Sequence, residues 1–418
     1  MNIPEQILEM GRRAHRAART LATLPSNSKN RILTAMADAI TKDGDAIIAA
    51  NTRDMTAGKA AGLSGALLDR LLLDSARLGA LTEGLDRIVQ LPDPVGEQLG
   101  CTKRPNGLLI RKVRVPLGVV AVIYESRPNV TADAAALCFK AGNAVILRGG
   151  TEAHATNTAI WEAMVRAGTT AGLPPDAIQL VPTTDRAAVV ALLELDEHID
   201  LIIPRGGESL IRTVAERSKV PVLKHYKGVC HVYVDRDADL EMARNIIVNA
   251  KCQRPGVCNA METLLVHEEV APRFLPRAGE ALQSRGVEIR GDERTCRILT
   301  DAKRATKADW SQEYLDLILS VGIVTSLDAA IDHIERYGTH HSDVIVTDDE
   351  EAARRFTDQV NSATVYVNAS SRFTDGVEFG MGAEIGISTG KLHARGPCGL
   401  PELTTYKYVI VGSGQVRQ

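Results

Sequence analysis

The spacing of apolar residues changes character along the chain. In the first hundred residues apolar side chains recur at helical intervals and predict two helical segments, over residues 30–50 and 67–89. Over residues 96–116 the period falls to two around the dipeptide Asn106-Gly107, a strong hairpin signal. The chain is therefore predicted to open with helices that lead into a β-hairpin.

From Leu117 onward, short apolar stretches alternate with helical patterns. The stretches are uniformly apolar, as is typical of parallel strands covered on both faces. They predict strands over residues 118–124, 144–147, 178–181, 201–204 and 220–223, and a second series over 231–234, 263–266, 317–324, 343–346 and 364–367. The pattern favours an α/β fold with two domains. The β-rich tail, residues 402–412, could pair with the hairpin and form a small oligomerisation module, since neither piece could stand alone.

Composition excludes several classes of protein. The chain has 418 residues, 44% of them hydrophobic, and a net charge of -3, so it is globular and lacks the basic footprint of a nucleic-acid binder. No window approaches the roughly 18 apolar residues of a membrane span. The arginines near the N-terminus are interrupted by Glu5 and Glu9, which argues against a secretory signal and leaves a mitochondrial transit peptide as a minor alternative. We expect a cytoplasmic protein without a membrane partner.

The seven cysteines are odd in number and form no C-x-x-C pair, which argues against a disulfide framework and a zinc knuckle. They are interpreted as reduced thiols. The histidines at 225, 231, 340 and 341 lack the spacing of a metal-ligand motif, so we interpret them as solvated or hydrogen-bonded and predict no metal.

Two predicted strands end in an arginine and two glycines before a helix. Glycines let a ligand approach the backbone, and the N–H groups at a helix start attract phosphate. The pair of turns indicates a phosphate-bearing nucleotide, although such turns also serve as plain tight connections, and neither a G-x-G-x-x-G nor a P-loop motif is present. The residues are Arg148, Gly149 and Gly150 in one turn and Arg205, Gly206 and Gly207 in the other.

A cysteine follows a helix break in the second α/β region. Pro255-Gly256 ends a predicted helix and leaves Cys258 on a loop, while Cys252 stays on the helical side. A loop thiol near Arg254 could act as a nucleophile. The alternative is a buried, inert thiol.

Several motifs together resemble the gamma-glutamyl phosphate reductase family, the proline-pathway branch of the aldehyde dehydrogenase superfamily. The likeness runs essentially from end to end. The motifs are Gln253-Arg-Pro-Gly-Val-Cys-Asn-Ala-Met-Glu-Thr263, Val115-Pro-Leu-Gly-Val-Val120, Tyr124-Glu-Ser-Arg-Pro-Asn-Val130, Leu147-Arg-Gly-Gly150, Lys224-His225, Gly228 with Cys230-His231, His341-Ser-Asp343, Phe379-Gly380 and Leu400-Pro-Glu-Leu-Thr404.

The resemblance implies a domain plan. An NADP-binding, Rossmann-like domain is expected in residues 1–96 and 116–228, and a catalytic domain with the nucleophile loop in 229–375. The oligomerisation hairpin and strand are expected in 97–115 and 400–418, so the protein is expected to be a homo-oligomer.

The resemblance also implies a chemistry: NADPH-dependent reduction of L-glutamyl 5-phosphate to L-glutamate 5-semialdehyde and phosphate. Cys258 would attack the acyl phosphate and carry a thioester, with the Cys258 N–H and the Asn129 side chain as oxyanion donors. Asn129 could instead cap the helix that follows it. The family's hydrolytic relatives have a water-activating glutamate where this chain reads Leu223-Lys-His-Tyr-Lys-Gly-Val-Cys230, so the thioester is expected to resist water.

For the cofactor, the resemblance places Arg148 near the adenosine ribose, where a cation would favour NADP(H) over NAD(H). Gly149 and Gly150 would belong to the same site, and Arg205, Gly206 and Gly207 would line the nucleotide. Glu313 would hold the nicotinamide ribose. The alternative for Glu313 is a solvated surface charge.

Two other functions stay open from the sequence: a superfamily member acting on another acyl donor such as an acyl-CoA, and a non-catalytic relative. The acyl phosphate would come from a separate glutamate kinase, because no kinase region precedes the reductase-like region, and transient contact with that enzyme is a hypothesis. Residues 370–382 are candidates for holding the substrate's amino and carboxylate ends.

Overall fold

The computed structural model describes residues 2–417, which fold as two compact units. The first unit contains the chain up to Lys224, together with Gly380–Gly386 and the segment from Cys398 onward. The second contains His225–Phe379 and Ile387–Pro397. The chain thus returns to the first unit twice after leaving it.

The first unit opens with helices whose apolar faces are buried. In the first helix, Asn2 accepts a hydrogen bond from the Glu5 N–H and Glu5 accepts one from the Asn2 N–H, which makes a capping box. Ile7, Met10 and Leu21 lie on its buried face. The helices are α1 (Ile3–Leu21), α2 (Ser26–Lys42), α3 (Gly44–Ala60), α4 (Gly65–Leu71) and α5 (Ser75–Gln90).

The two predicted segments, residues 30–50 and 67–89, are helical, but each is divided between two helices, and α1 was not predicted. Each contains a break: Asp43 leaves helical geometry between α2 and α3, with ψ at 13°. Asp74 caps α5 by accepting from the Arg77 N–H at 2.8 Å. Apolar residues recur on both sides of each break, so periodicity alone does not reveal it.

The predicted hairpin is present, as β1 (Gln98–Lys103) and β2 (Leu109–Pro116), paired antiparallel. Gly107 has a φ of +89°, which glycine adopts without steric cost. The Arg104 N–H donates to the Leu108 carbonyl at 2.8 Å and closes the turn.

A four-stranded parallel sheet forms the centre of the first unit, in the order β5-β4-β3-β6. Every residue of β3 is buried, as the uniformly apolar sequence predicts. The strands are β3 (Val119–Tyr124), β4 (Ala144–Gly149), β5 (Ile178–Leu180) and β6 (Leu201–Arg205). The helices that follow them are α6 (Asn129–Lys140), α7 (His154–Ala171), α8 (Arg186–Leu193) and α9 (Glu208–Arg217).

The strand predicted over residues 220–223 is only an isolated bridge between Ile202 and Val222. The Ile202 N–H donates to the Pro221 carbonyl, and the Leu223 N–H donates to the Ile202 carbonyl. Pro221 has no N–H with which to continue the ladder. The apolar pattern therefore overstates this strand.

The second unit is built on a seven-stranded parallel sheet in the order β10-β9-β11-β8-β7-β12-β13. Its strands are β7 (Cys230–Val234), β8 (Met261–His267), β9 (Glu288–Gly291), β10 (Lys303–Arg304), β11 (Ile318–Val324), β12 (Ser342–Val346) and β13 (Thr364–Val367). Its helices are α10 (Leu240–Cys252), α11 (Ala271–Gln283), α12 (Glu293–Ile298), α13 (Leu327–Tyr337) and α14 (Glu350–Gln359). The sequence did not predict β9 and β10, which are short and charged; β10 is an edge strand and β9 lies beside it.

Three strands complete the chain: β14 (Gly386–Ser388), β15 (Gly396–Cys398) and β16 (Thr404–Val411). As predicted for the tail, β16 pairs antiparallel with β2 over its whole length. Short 3-10 helices lie at Thr151–Ala153, Asp309–Ser311, Ser371–Phe373 and Pro401–Leu403.

The division of the chain falls after Lys224, and the hairpin and β16 belong to the first unit. The roles assigned to the domains from the sequence stay predictions. Within residues 2–417, no helix is both long enough and apolar enough to cross a membrane.

Candidate active site

Cys258 lies on the loop between α10 and β8, as predicted, and is partly exposed. Cys252 is the last residue of α10. A fully buried ion pair joins the two ends of the loop, with Lys251 Nζ 2.6 Å from Glu262 Oε2. The other Glu262 oxygen accepts from the Leu315 N–H at 3.1 Å. The nucleophile loop, residues 253–260, is therefore held at both ends.

The backbone at Cys258 is fixed by close neighbours. A Cβ on Gly228 would lie 1.7 Å from the Cys258 carbonyl oxygen, so only glycine fits there. The buried Cys230 thiol donates to the same oxygen, with Sγ at 3.2 Å, and burial raises the pKa of that thiol well above its ordinary value. Among residues 2–417, the Cys258 N–H has no hydrogen-bond partner. It is available to an oxyanion.

A second anchor comes from the segment after β13. Asn259 Nδ2 donates to the Thr374 carbonyl at 2.8 Å, and Ser371 Oγ donates to the Asn259 carbonyl at 2.7 Å. Arg372 donates to Asn259 Oδ1 and to Gln253 Oε1, and burial lowers its pKa. The predicted substrate loop, residues 370–382, thus reaches the nucleophile loop through its first residues.

Two histidines lie beside the nucleophile, which the sequence did not predict. One donor atom from each of His225, His341 and Cys258 lies within 4.8 Å of the other two. The imidazole rings are 5.7 Å apart in an edge-to-face arrangement. Both histidines belong to motifs that carry the family resemblance, Lys224-His225 and His341-Ser-Asp343. These motifs were the available sequence signal. The spacing of the two histidines along the chain does not predict that they lie near Cys258.

The interpretation of His231 as a hydrogen-bonded histidine is confirmed. Its Nδ1 and its backbone N–H both lie 2.9 Å from Asp343 Oδ1, and both side chains are fully buried. Ser362 donates to the other oxygen of Asp343. Asp343 of the motif His341-Ser-Asp343 thus supports β7.

Glu313 is partly buried, and its Oε1 accepts from the Gly228 N–H at 2.8 Å. The Glu313 carboxylate is therefore held by a backbone N–H and remains partly exposed, and its role toward the cofactor stays a prediction. Because Gly228 packs on Cys258, Glu313 is tied to the backbone that supports the nucleophile.

In the first unit, Asn129 is the first residue of α6, and Pro128 precedes it as the cap without a side-chain hydrogen bond. The Asn129 amide donates to Asp133 Oδ2 at 2.9 Å. Burial raises the pKa of Asp133 to about 6, against the opposing effects of Asn129 and two arginines. The alternative of a helix-capping role for Asn129 was wrong, because its side chain bonds forward along the helix.

The turn after β4 is closely packed. A Cβ on Gly149 would lie 2.1 Å from the Asn157 side chain, and one on Gly150 would lie 2.4 Å from that of Glu152. Arg148 donates to the Thr184 carbonyl at 2.7 Å, while its buried Nε has no partner among the described residues. The glycines thus serve local packing, and Arg148 keeps hydrogen-bonding capacity for an anion.

The turn after β6 is packed against Glu125 at Gly206, where a Cβ would lie 2.4 Å from Glu125 Oε2, and is open at Gly207. Gly206 and Gly207 are exposed at the start of α9, beyond the partly buried Arg205. The Gly207 N–H donates to Glu125 Oε2 at 2.9 Å, and a Cβ on Gly207 would meet nothing nearer than that oxygen at 3.9 Å. β3 lies between β4 and β6 in a parallel sheet. The turns that follow β4 and β6 are therefore both at the carboxyl ends of the strands. The start of α9 and the unpaired Arg148 Nε fit the phosphates of a dinucleotide.

The sequence profile of the aldehyde dehydrogenase family matches residues 3–309. The chain belongs to the aldehyde dehydrogenase family. The predicted α/β fold of that family is confirmed, and the chain is an oxidoreductase of a family that uses a nicotinamide cofactor.

Curated proteins that are similar to the chain over its full length are named gamma-glutamyl phosphate reductase. It is 59% identical over 418 residues, all of both chains, to the gamma-glutamyl phosphate reductase of Moorella thermoacetica. It is 56% identical to that of Carboxydothermus hydrogenoformans, over 99% of this chain and all of the relative. The crystal structure of gamma-glutamyl phosphate reductase from Thermotoga maritima superposes with a TM-score of 0.97 at 44% identity, covering 99% of this chain and all of that one.

Proposed function

We propose that this aldehyde dehydrogenase reduces L-glutamyl 5-phosphate to L-glutamate 5-semialdehyde and phosphate with NADPH, the second step of proline biosynthesis from glutamate. The observation that carries the proposal is Cys258: a partly exposed thiol on a loop fixed at both ends, with its own N–H unpaired. The full-length likeness to gamma-glutamyl phosphate reductases supplies the substrate.

In the first half of the reaction, Cys258 Sγ attacks the acyl carbon of the mixed anhydride. The electron pair moves to the carbonyl oxygen, and its return expels phosphate and leaves a thioester on Sγ. The Cys258 N–H stabilises the oxyanion. By family likeness the Asn129 amide is the second donor, and each donor contributes about 3 kcal/mol in the transition state.

In the second half, the thioester carbon would receive a hydride, the chemistry that a reduced nicotinamide held by Gly206, Gly207 and Arg148 would supply. The hemithioacetal oxyanion can use the same N–H donor at Cys258. Its collapse breaks the C–S bond, returns Cys258 to a thiolate and releases the semialdehyde. Two roles toward the cofactor follow from the turns after β4 and β6: Gly206 and Gly207 would hold the pyrophosphate, and the unpaired Nε of Arg148 a 2′-phosphate. Gly149 and Gly150 shape the turn after β4. Arg205 and Glu313 complete the proposed set of cofactor-binding residues.

In the reverse reaction, phosphate must cleave the thioester before water does. The thioester must therefore resist hydrolysis. One donor atom of each of the imidazoles of His225 and His341 lies within 4.8 Å of the Cys258 sulfur. His225 falls in the segment where hydrolytic relatives carry their water-activating glutamate. This supports an acyl-phosphate reductase over an aldehyde oxidiser.

Arg372 is a candidate for the substrate's carboxylate end. It belongs to the loop predicted for this task, its guanidinium is oriented by Gln253 and Asn259, and it interacts electrostatically with Cys258. The seven cysteines form no disulfide with one another in the described residues, which fits the reducing cytoplasm, where we place the protein. Homo-oligomerisation and transient contact with a glutamate kinase stay predictions.

The proposal is tested by reduction of NADP⁺ with glutamate semialdehyde, with and without inorganic phosphate. Turnover is expected only with phosphate, and Cys258→Ala is expected to abolish it while Cys101→Ala, at an exposed thiol of β1, keeps it. Turnover without phosphate would point to a hydrolytic or CoA-dependent enzyme. Lack of turnover in the wild type would overturn the proposal.

A further inference from the structure

The second unit brings two imidazoles and one thiol together from three separate segments of the chain. His225 precedes β7, Cys258 lies on the nucleophile loop and His341 precedes β12. One donor atom of each lies within 4.8 Å of the other two. Around one tetrahedral Zn²⁺, with bonds of about 2.0 to 2.3 Å, such donors lie roughly 3.3 to 3.6 Å apart. Small side-chain movements therefore suffice to place all three on one ion.

We propose that His225, Cys258 and His341 form a binding site for a thiophilic divalent cation of the zinc type. Nitrogen and sulfur ligands of this kind select Zn²⁺ over Mg²⁺ or Ca²⁺, which prefer oxygen. Three protein ligands leave a fourth position open to solvent.

His225 is already oriented as a ligand. Its Nδ1 lies 2.9 Å from the Ile387 carbonyl oxygen, which can only accept, so Nδ1 carries the proton and Nε2 the lone pair. Metal-binding histidines are oriented in the same way, by donation of the second ring N–H to a carbonyl or carboxylate.

His341 is fixed as well. It is fully buried, and its Nδ1 lies 2.9 Å from Ser342 Oγ. Ser342 Oγ is in turn within 2.7 Å of the hydroxyls of Thr364 and Thr374. Two of the three ligands thus have little side-chain freedom to lose when an ion binds.

An ion can reach the site, because His225 and Cys258 are partly exposed. The nearby cation Arg372 is held by Gln253 and Asn259.

A bound ion would occupy the sulfur that must attack the acyl phosphate, so it would inhibit the enzyme reversibly. This inhibition rests on the proposed function, whereas the binding itself does not. No metal was predicted from the sequence, because local spacing cannot reveal ligands that come from three segments.

The test is titration of the reduced, substrate-free protein with Zn²⁺ in competition with a chromophoric chelator. One ion per chain is expected. Cys258→Ser and His225→Asn are each expected to weaken binding about tenfold or more. The matched controls are Cys101→Ser, at an exposed thiol, and His340→Asn, beside His341 at a φ of +57° that asparagine tolerates. Both controls are expected to bind as the wild type does.

Co²⁺ gives an independent signal, a sulfur-to-metal charge-transfer band that disappears in Cys258→Ser. Absence of binding, or binding that is unchanged in both site variants, would overturn the metal proposal. Those outcomes are measured without substrate and leave the reductase proposal untouched. Failure of the reductase proposal would appear instead as lack of turnover in metal-free protein.

Discussion

Lys251 and Glu262 are the buried charges that flank the nucleophile loop. Burial lowers the pKa of Lys251 and raises that of Glu262 to about 7, and their mutual attraction opposes both shifts. Lys251→Met would leave the Glu262 carboxylate buried without its cation. We expect this variant to lose about 3 to 5 kcal/mol of unfolding free energy. Urea denaturation of the full-length protein measures this loss.

Two variants bracket that result. The double variant Lys251→Met/Glu262→Leu is expected to recover much of the loss, because no charge is left unpaired. Lys303→Met, which breaks an exposed pair with Glu288, is expected to cost less than about 1 kcal/mol. A double variant as unstable as Lys251→Met would contradict the explanation that the unpaired Glu262 carboxylate causes the loss of stability.

Arg148 is the residue on which the preference for NADP(H) depends. Loss of a charge-assisted hydrogen bond to a phosphate costs about 1.5 to 3 kcal/mol. We therefore expect Arg148→Ala to raise KM for NADP⁺ about 10- to 100-fold with a much smaller change for NAD⁺. Steady-state kinetics with both cofactors measures this.

Arg186 provides the control, since it is an exposed cation that interacts electrostatically with Arg148. Arg186→Ala is expected to change both KM values little. Equal effects of Arg148→Ala on the two cofactors would show that the residue does not contact the 2′ position.

Local sequence was enough to predict the position of Cys258, because Pro255 and Gly256 end a helix within a few residues of it. It was not enough to predict the roles of His225 and His341, which reach the thiol only through the order of strands in the sheet. Glu313 shows the same limit: its bond to the Gly228 N–H joins residues that no local pattern connects.

Gly228 supports the nucleophile loop through backbone packing. A Cβ there would lie 1.7 Å from the Cys258 carbonyl oxygen, a distance that backbone atoms cannot tolerate. We expect Gly228→Ala to displace the loop and lower kcat/KM at least about tenfold, which corresponds to about 1.4 kcal/mol. Circular dichroism would establish that the fold is kept.

Gly256→Ala is the matched control in the same loop. Its Cβ would meet only the Leu315 carbonyl oxygen, at an ordinary 3.7 Å. We expect kinetics close to wild type. If both alanine variants lose activity equally, close packing at Gly228 does not explain the effect.

Strands and helices differed in how well the sequence predicted them. β7, β8 and β12 are fully buried, and the apolar runs 232–234, 264–266 and 344–346 within them carry the signal. β10 consists of two residues, both exposed, and it forms by pairing with β9. Composition does not predict that pairing. The break beside Asp74 was missed because a side-chain cap, rather than apolar spacing, decides it. At Asp43 no side-chain cap is present, and only the backbone leaves helical geometry.

The three-stranded sheet of β1, β2 and β16 has a row of exposed apolar side chains, including Tyr406, Tyr408 and Ile410. Such a surface is typical of a protein–protein interface. We expect Ile410→Asp to lower the mass measured by light scattering toward that of a monomer, 45.0 kDa. Leu392→Asp, at an exposed leucine outside this sheet, is expected to leave the mass unchanged. An unchanged mass in Ile410→Asp would place the interface elsewhere.

The pairing of β16 with β2 also has a consequence for biosynthesis. Arg114 Nη1 in β2 donates to Thr404 Oγ1, a partner 290 residues further along the chain. At a translation rate of roughly 5 to 20 residues per second, β2 waits about 15 to 60 s for its partner strand to be made. During that time its outer edge exposes unpaired N–H and C=O groups, and nascent chains on one polysome lie close enough to pair through them. A ribosome that stalls before residue 404 would release a chain with this edge still open, so incomplete synthesis is the point at which this protein is most exposed to aggregation.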